Sequence, residues 1–319
     1  MSRLPGWIAV CGMASALAAN AAGNITGRVV DFLTGEGIER ARVLVQLTPP
    51  GSDRPVTLVA LTNSEGTFGV RNLPGVPCLI WSEKTGYLGG QNRTESQATI
   101  PISDVEASAP IVLRLTPQAV IEGSIVDPGG TGIAAWIKLL RVVPDKGGGI
   151  EFQRDLQVDE SGEFRLAGLE AGSYYIEFAG PRALVNQAKV RAYAVRFYPD
   201  AADLRSARAI QAKTGAAVQL TLQLHVAPSY QIRGRVPAAS QNPSLSLRLP
   251  GEPVAGMQFF NAAWDDRNRS FSFSGVPPGV WLLEANFTID GNAVQGSRIV
   301  TVEDADVDGV TIEPAARAN

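Results

Sequence analysis

The chain has 319 residues, a length that predicts two or three domains of ordinary size. Charged residues make up only 18% of it and hydrophobic residues 45%, which excludes a disordered, charge-solvated chain, and the formal net charge of -3 gives no basic excess for nucleic acid or an anionic membrane. Two Cys and one His exclude most structural zinc sites and disulfide scaffolds and leave little for His-based catalysis.

The N-terminal segment, residues 1–22, is predicted to be a signal peptide. Arg3 precedes an apolar run, Trp7–Ala19, that contains no acidic residue, and small residues suitable for a signal peptidase lie at its end. The run is too short to cross a bilayer, and no later stretch is long and apolar enough for a membrane span. A buried helix and a lipid anchor at Cys11 are the alternatives. A signal peptide implies a secreted or periplasmic protein.

Three copies of one strand pattern follow this segment. An opening strand with apolar residues at period two surrounds a central glycine in Ile25–Val29, Ile121–Ile125 and Ile232–Val236. A polar turn opened by Asn or Asp then leads to a Phe in Asn63–Phe68, Asp159–Phe164 and Asp266–Phe271. The Phe lies 41, 41 and 37 residues after the glycine, a regularity that indicates internal repeats.

The later part of each copy is also repeated. An apolar residue five positions after the Phe precedes a corner rich in small residues, Pro or Gly, and a new strand then begins at Cys78, Tyr174 and Trp281. Each copy closes with an alternating or apolar strand, at 111–115, 218–224 and 307–312. Short strands at turn-marked intervals are typical of antiparallel β-sandwiches in tandem. The only helix that the pattern allows is a short surface helix over Ala201–Ala212.

These patterns predict an all-β chain of three tandem antiparallel β-sandwiches at residues 23–117, 118–227 and 228–319, called here the first, second and third repeats. The boundaries fall at Pro residues, which remove a strand donor and end pairing. The second repeat contains an insertion, about 182–213, that a sandwich of this size does not need. A long loop on a rigid scaffold is a candidate interaction element.

The repeated segments resemble the carboxypeptidase regulatory-like domain. The resemblance rests on the strands Gly27–Asp31 and Gly123–Asp127, the turn-Gly-x-Phe hairpin and the Leu-x-Pro-Gly-x-aromatic corner. It covers nearly all residues after the signal segment and is weakest in the third repeat, where Arg269 replaces Gly162. Residues 197–200 also resemble a loop of secreted acidobacterial members.

The resemblance implies a transthyretin-like (prealbumin-like), seven-stranded sandwich that is also similar to starch-binding-type carbohydrate modules. It implies an extracytoplasmic role in binding or support, and it brings no catalytic residue and no cofactor. We therefore predict a non-catalytic binding or adhesion protein whose partner is a polysaccharide or an extracytoplasmic protein. The alternative is an accessory or scaffold array for a separate peptidase or glycan hydrolase. An enzyme ranks third, because it would have to work with carboxylates alone.

Two groups of aromatic and polar residues are candidates for ligand binding. Sugar rings bind on exposed aromatic planes that are flanked by hydrogen-bonding side chains. One candidate group occupies a predicted hairpin tip in the third repeat, and the other belongs to the insertion. The two groups are Trp264 with Asp266 and Asn268, and Tyr193 with Tyr198 and Asp200. The alternative interpretation is that these are exposed or half-packed strand aromatics.

The remaining candidates have simpler interpretations. Asp304, Asp306 and Asp308, followed by a glycine, copy the opening of a calcium loop, but the twelfth position lacks the closing Glu, so a solvated acidic hairpin is preferred and no metal is predicted. His225, the single imidazole, is interpreted as a strand or interface residue, and Cys78 as a small core residue.

Overall fold

The computed structural model describes residues 23–89, 97–100, 110–143, 149–181, 184–186, 189–236, 243–251, 259–289 and 291–315. The predicted signal peptide, 1–22, lies outside the described residues. Every regular element in the described part of the chain is a β-strand, so the predicted all-β class is confirmed. The chain divides into two compact units, Met1–Pro117 and Gln118–Asn319.

The first unit contains two four-stranded sheets that pack face to face. Its strands are β1 Gly23–Asp31, β2 Arg42–Leu47, β3 Val56–Leu61, β4 Thr67–Leu73, β5 Cys78–Glu83, β6 Tyr87–Leu88, β7 Gln97–Ile100 and β8 Ile111–Pro117. One sheet has the order β4-β1-β8-β6 and the other β3-β2-β5-β7. Alternate residues of both sheets, such as Val29 and Val45, point into one apolar core, as a sandwich requires.

The described residues of the second unit form five sheets. The strands of the second repeat are β9 Ala119–Val126, β10 Ala135–Val143, β11 Gly149–Val158, β12 Glu163–Leu169, β13 Gly172–Ala179, β14 Leu184–Asn186, β15 Lys189–Tyr193, β16 Arg196–Phe197, β17 Ile210–Ala212, β18 Ala217–Gln223 and β19 Val226–Pro228. Those of the third repeat are β20 Tyr230–Arg235, β21 Ser244–Arg248, β22 Ala262–Asp265, β23 Ser270–Val276, β24 Gly279–Ile289, β25 Asn292–Val302 and β26 Val307–Thr311.

These sheets surround two hydrophobic cores. In the second repeat, one core lies between the sheet β11-β10-β13-β16 and the sheet β12-β9-β18. Strand β17 also pairs with β13 of the first of these sheets. The strands β14-β15-β19 form a separate small sheet. The other core lies between β22-β23-β20-β26 and β21-β24-β25. It also includes second-repeat side chains: Leu140, Ala179, Val195, Phe197 and Leu204. The second and third repeats therefore share a core, and the boundary near 227 stays a prediction.

The repeated glycine and phenylalanine lie directly opposite each other on neighbouring strands. The register pairs Gly27 with Phe68, and the same pairing recurs for Gly123 with Phe164 and Gly234 with Phe271. A Cβ at Gly234 would lie 2.5 Å from Cζ of Phe271 and 2.1 Å from a carbonyl oxygen of β26. The glycine thus leaves room for the ring, which covers its bare backbone.

One strand pairing in each repeat differs from the antiparallel prediction. The closing strand runs parallel to the opening strand in all three cases, which are β8 beside β1, β18 beside β9 and β26 beside β20. A parallel neighbour needs a crossover rather than a hairpin, and here the chain supplies it by crossing to the other sheet before returning. The sheets are consequently mixed.

The short helix predicted over Ala201–Ala212 does not form. Ala201 makes a β-bridge with Phe197, residues 202–206 form bends and turns, and Ile210–Ala212 is strand β17, which pairs with β13. The Asp203 carboxylate accepts hydrogen bonds from the backbone and hydroxyl of Ser206, which closes a local turn. Ile210 and Ala212 are buried in the core of the second repeat, so tertiary packing favours a strand here.

The hairpin turn before each Phe requires a left-handed residue. Gly66 and Gly162 have φ of 77° and 74°, and Arg269 at the corresponding position has φ of 49°. The carbonyl of each residue accepts a backbone hydrogen bond from the opening strand of its repeat. The third repeat thus keeps the conformation without the glycine that makes it favourable.

We expect Arg269→Gly to stabilise the second unit by about 0.5–1 kcal/mol, because glycine removes the left-handed strain of a residue with a Cβ. Urea denaturation followed by circular dichroism measures this change. Gly66→Ala is the opposite control: its Cβ would lie 2.4 Å from the Val29 carbonyl oxygen, so stability should fall. Destabilisation by Arg269→Gly would contradict the strain argument.

Candidate functional site

The predicted hairpin tip in the third repeat connects β22 and β23. The residue that opens its turn is Asp265, one position before the predicted Asp266. Asp265 Oδ1 accepts a hydrogen bond from the backbone N–H of Arg267 at 2.9 Å. Asp265 Oδ2 accepts one from Asn268 Nδ2 at 2.7 Å. The hydrogen bonds from Asn268 hold the pKa of Asp265 below its usual range. Asn268 therefore contributes to the turn, and the indole of Trp264 donates to Asp266 at 3.4 Å.

Trp264 lies on the core side of its sheet. It is directly opposite Phe271 in the register, is half-buried, and packs against the core of the third repeat. It also borders a groove of about 480 Å³, whose polar lining consists of Arg233, Arg235, Asp265, Ser270, Ser272 and Thr311. Trp264 thus borders this groove, but its ring packs on the core face and is not a freely exposed platform.

Tyr193, at the end of β15, borders a neighbouring cavity of about 240 Å³. Its ring covers Gly180, where a Cβ would lie 2.5 Å from the ring. Burial and the nearby Asp127 carboxylate raise the pKa of Tyr193. Phe259, Phe260, Asn261 and Ser274 also line this cavity.

The groove and the cavity share two lining residues, Ala263 and Ser272. The structure therefore brings together one member of each predicted group, Trp264 and Tyr193, along one surface that we call the β23 cleft. The cleft combines aromatic walls with hydroxyl, amide, guanidinium and carboxylate groups. Sequence reasoning missed Arg233, Arg235 and Ser272, although these polar residues alternate with the buried positions of β20 and β23.

Tyr198 and Asp200 make other contacts. The ring of Tyr198 lies 4.9 Å from the Arg208 guanidinium, which also donates to its hydroxyl. Asp200 lies 3.3 Å from Arg196 Nε and 3.3 Å from His225 Nε2. Both residues thus take part in contacts that hold the insertion together, and the interpretation of His225 as a strand or interface residue stays a prediction.

The three aspartates of the calcium-like segment do not gather around one point. Asp306 Oδ2 and Asp308 Oδ1 lie 3.0 and 2.9 Å from the two terminal nitrogens of Arg233. Asp306 also accepts the backbone N–H of Gln231. A calcium ion would have to displace this guanidinium, so calcium binding by Asp304, Asp306 and Asp308 stays a hypothesis.

The second repeat has a groove in the corresponding place. It has a volume of about 740 Å³ and lies beside the Gly123–Phe164 pair. Its polar lining consists of Glu122, Ser124, Glu163, Arg165, Gln219 and Thr221. Glu122 pairs there with Arg165 and accepts a hydrogen bond from Gln219. Polar grooves at this position thus recur in the second unit.

In the described ranges, no three His, Cys, Asp or Glu side chains are grouped so that they could hold a metal ion. No helix among the described residues is long and apolar enough to cross a membrane. Cys78 is buried in the core of the first unit, where desolvation raises the pKa of its thiol.

No protein-family model and no curated protein matches the chain. Among solved structures, the Bacillus anthracis TIE protein is 14% identical with a TM-score of 0.27, and the match covers 92% of this chain but only 51% of that protein. The minor pilin GBS52 of Streptococcus agalactiae is 17% identical with a TM-score of 0.30, over 65% of this chain and 97% of the pilin. The shaft pilin SpaA of Lactobacillus rhamnosus GG is 13% identical with a TM-score of 0.29, over 64% and 98%. Such low TM-scores assign neither a family nor a function.

Proposed function

We propose that this chain is a non-catalytic, extracytoplasmic binding protein built of three carboxypeptidase regulatory-like repeats, and that its β23 cleft binds polysaccharide. The observation that carries the proposal is the continuity of the groove and the cavity through Ala263 and Ser272. A long cleft with aromatic walls and mixed hydrogen-bonding groups suits several successive sugar rings.

The lining chemistry supports a neutral or weakly acidic glycan. Arg235 is exposed, Ser272 is half-buried, and Asn261 is exposed at the far end of the cleft. These side chains supply donors and acceptors at intervals along the cleft, as sugar hydroxyls require.

The affinity for a single sugar unit is expected to be low. One aromatic contact contributes about 1 kcal/mol beyond the free energy that comes from burying its surface. A short oligosaccharide should therefore bind with a dissociation constant near the millimolar range. A polymer that also reaches the groove of the second repeat makes its second contact intramolecularly. Retention on an insoluble polysaccharide should therefore exceed binding to soluble fragments.

The test is retention of the purified protein on a panel of insoluble polysaccharides, with Ser272→Trp as the blocking variant. Because Ser272 lines both parts of the β23 cleft, a large side chain there should fill the cleft and reduce retention at least about tenfold, which is 1.4 kcal/mol or more. The blocking change removes no core side chain, whereas Trp264→Ala would also lose core packing.

Thr301→Trp is the matched control, since it adds the same side chain at an exposed position on β25 of the same repeat. Its retention should equal that of the unchanged protein. If no polysaccharide retains the intact protein, or if both variants lose retention equally, the glycan proposal fails. Hydrolysis of a glycan or peptide by the pure protein would overturn the non-catalytic proposal.

A second candidate ligand is an extracytoplasmic protein, including a separate hydrolase that this chain would assist. It is favoured by a mainly apolar cavity of about 690 Å³ between the insertion and the corner of the third repeat. Its lining includes Val195, Pro277, Pro278 and the exposed side chains of Val280 and Ile299. Apolar surface of this kind is typical of protein-binding sites.

A further inference from the structure

Strand β3 is the edge of its sheet and is exposed on both faces. Its side chains Val56, Leu58, Val59 and Leu61 are 43%, 38%, 55% and 59% exposed. Within the described part of the chain, β3 pairs with β2 alone, and its other edge has no strand beside it. An edge of this kind is a template for pairing with another strand.

The sequence of β3 contains none of the features that usually protect a sheet edge. From Val56 to Thr62 it has no charge, no proline and no glycine, and the register to β2 has no bulge. The edge strands β4, β11 and β25 each carry at least one charge, at Arg71, Arg154 and Arg298. These three edges therefore carry a protective charge that β3 lacks, whereas the edge strand β18, Ala217–Gln223, is also uncharged but has two buried side chains, Leu220 and Leu222.

The hydrogen bonds to β2 determine which backbone groups of β3 face outward. Thr62 N–H donates to the Ala41 carbonyl, and the residues that bond to the partner alternate along an antiparallel ladder. The even-numbered residues of β3 therefore bond to β2. Thr57, Val59 and Leu61 direct their N–H and C=O groups away from the sheet.

We propose that β3 is a self-association edge, at which two copies of this chain pair their β3 strands antiparallel about a twofold axis at Val59. In this register Val59 lies opposite its own copy, and Thr57 lies opposite the second copy's Leu61. The three outward residues of each copy then form six backbone hydrogen bonds. Leu58 comes to lie opposite Ala60 on the other face, so the exposed apolar side chains gain apolar cross-strand neighbours on both faces of the joined sheet.

A second copy is the occupant that this strand fits best. A twofold axis places each residue against one from the same uncharged segment, so apolar groups meet and no like charges are opposed. The contact is one strand wide and smaller than a standard interface, so the dissociation constant should be on the order of 100 µM. The inference is independent of the polysaccharide proposal, because β3 belongs to the first unit.

Sedimentation equilibrium of the full chain over a range of concentrations tests the association. The unchanged protein should form a discrete dimer, and Val59→Lys, which opposes two lysines at the axis, should raise the dissociation constant at least about tenfold. Val112→Lys is the matched control, because Val112 is 45% exposed on β8 of the other sheet. It should leave the dimer unchanged, and thermal melts should show that both variants fold.

Cysteine crosslinking tests the register, in a Cys11→Ser background where the remaining Cys78 is buried. Val59→Cys should oxidise to a disulfide dimer, since directly opposite residues lie about 5.5 Å apart between Cα atoms. Leu61→Cys should not, because its two copies are offset by four residues, about 13 Å. The proposal is overturned if the protein stays monomeric or forms only open-ended aggregates. It is also overturned if the two cysteine variants crosslink equally, or if β3 binds other proteins while the chain does not dimerise.

Discussion

Phe271→Ala is expected to lower the free energy of unfolding of the second unit by about 3–5 kcal/mol. The Phe271 side chain is buried, contacts Phe273 edge-on and covers the backbone of Gly234. Removing it leaves a cavity and also uncovers a glycine that offers no side chain of its own to fill the space. Urea denaturation followed by far-UV circular dichroism measures the loss.

The same substitution in the other repeats shows which parts of the chain unfold together. Phe164→Ala and Phe271→Ala should shift one common transition, because Phe197 and other second-repeat side chains belong to the core of the third repeat. Phe68→Ala should act on the transition of the first unit, whose core, as far as the structure describes it, consists of first-repeat residues. Three separate transitions, each sensitive to one substitution, would contradict a shared core and favour three independent sandwiches.

The sequence could predict the strands and most of the core. Alternation at period two depends on the pleat of a strand alone, so Ile25, Ile121 and Ile232 were correctly expected on the inner face. The repeat alignment also identified equivalent buried positions in Cys78, Tyr174 and Trp281. Tyr174 and Trp281 even donate hydrogen bonds to corresponding carbonyls four residues earlier, those of Glu170 and Pro277.

Features that depend on contacts between distant segments could not be predicted in this way. The residues of Ala201–Ala212 have no strong strand pattern, and only packing against the core makes Ile210–Ala212 a strand. The β23 cleft joins a strand of the insertion with a hairpin of the third repeat, about 70 residues away. Asp265 and Asp266 are chemically equal in sequence, and only the turn geometry decides which of them closes the turn.

The second unit also contains a buried ion pair that no sequence pattern indicated. Lys138 Nζ lies 3.0 Å from Glu177 Oε2, and both side chains are almost fully buried, at 3% and 2% exposure. The two residues are directly opposite in the register of β10 and β13. Lys138 Nζ also lies 4.9 Å from the ring centre of Phe259, a residue of the third repeat. The pair is therefore placed where the second and third repeats meet.

Lys138→Met is expected to lower the free energy of unfolding of the second unit by about 3–5 kcal/mol at neutral pH, because it removes the buried ammonium that lies 3.0 Å from the Glu177 carboxylate. The double variant Lys138→Met/Glu177→Met removes both charges and should recover a large part of this loss, giving a coupling energy of about 1–3 kcal/mol in a double-mutant cycle. The matched control is the pair of Arg42 and Glu83, 3.6 Å apart and 56% and 41% exposed, where Arg42→Met should cost less than about 1 kcal/mol. The buried pair does not stabilise the junction of the two repeats if Lys138→Met lowers the free energy of unfolding no more than Arg42→Met does. The same conclusion follows if the loss of the double variant equals the sum of the losses of the two single variants.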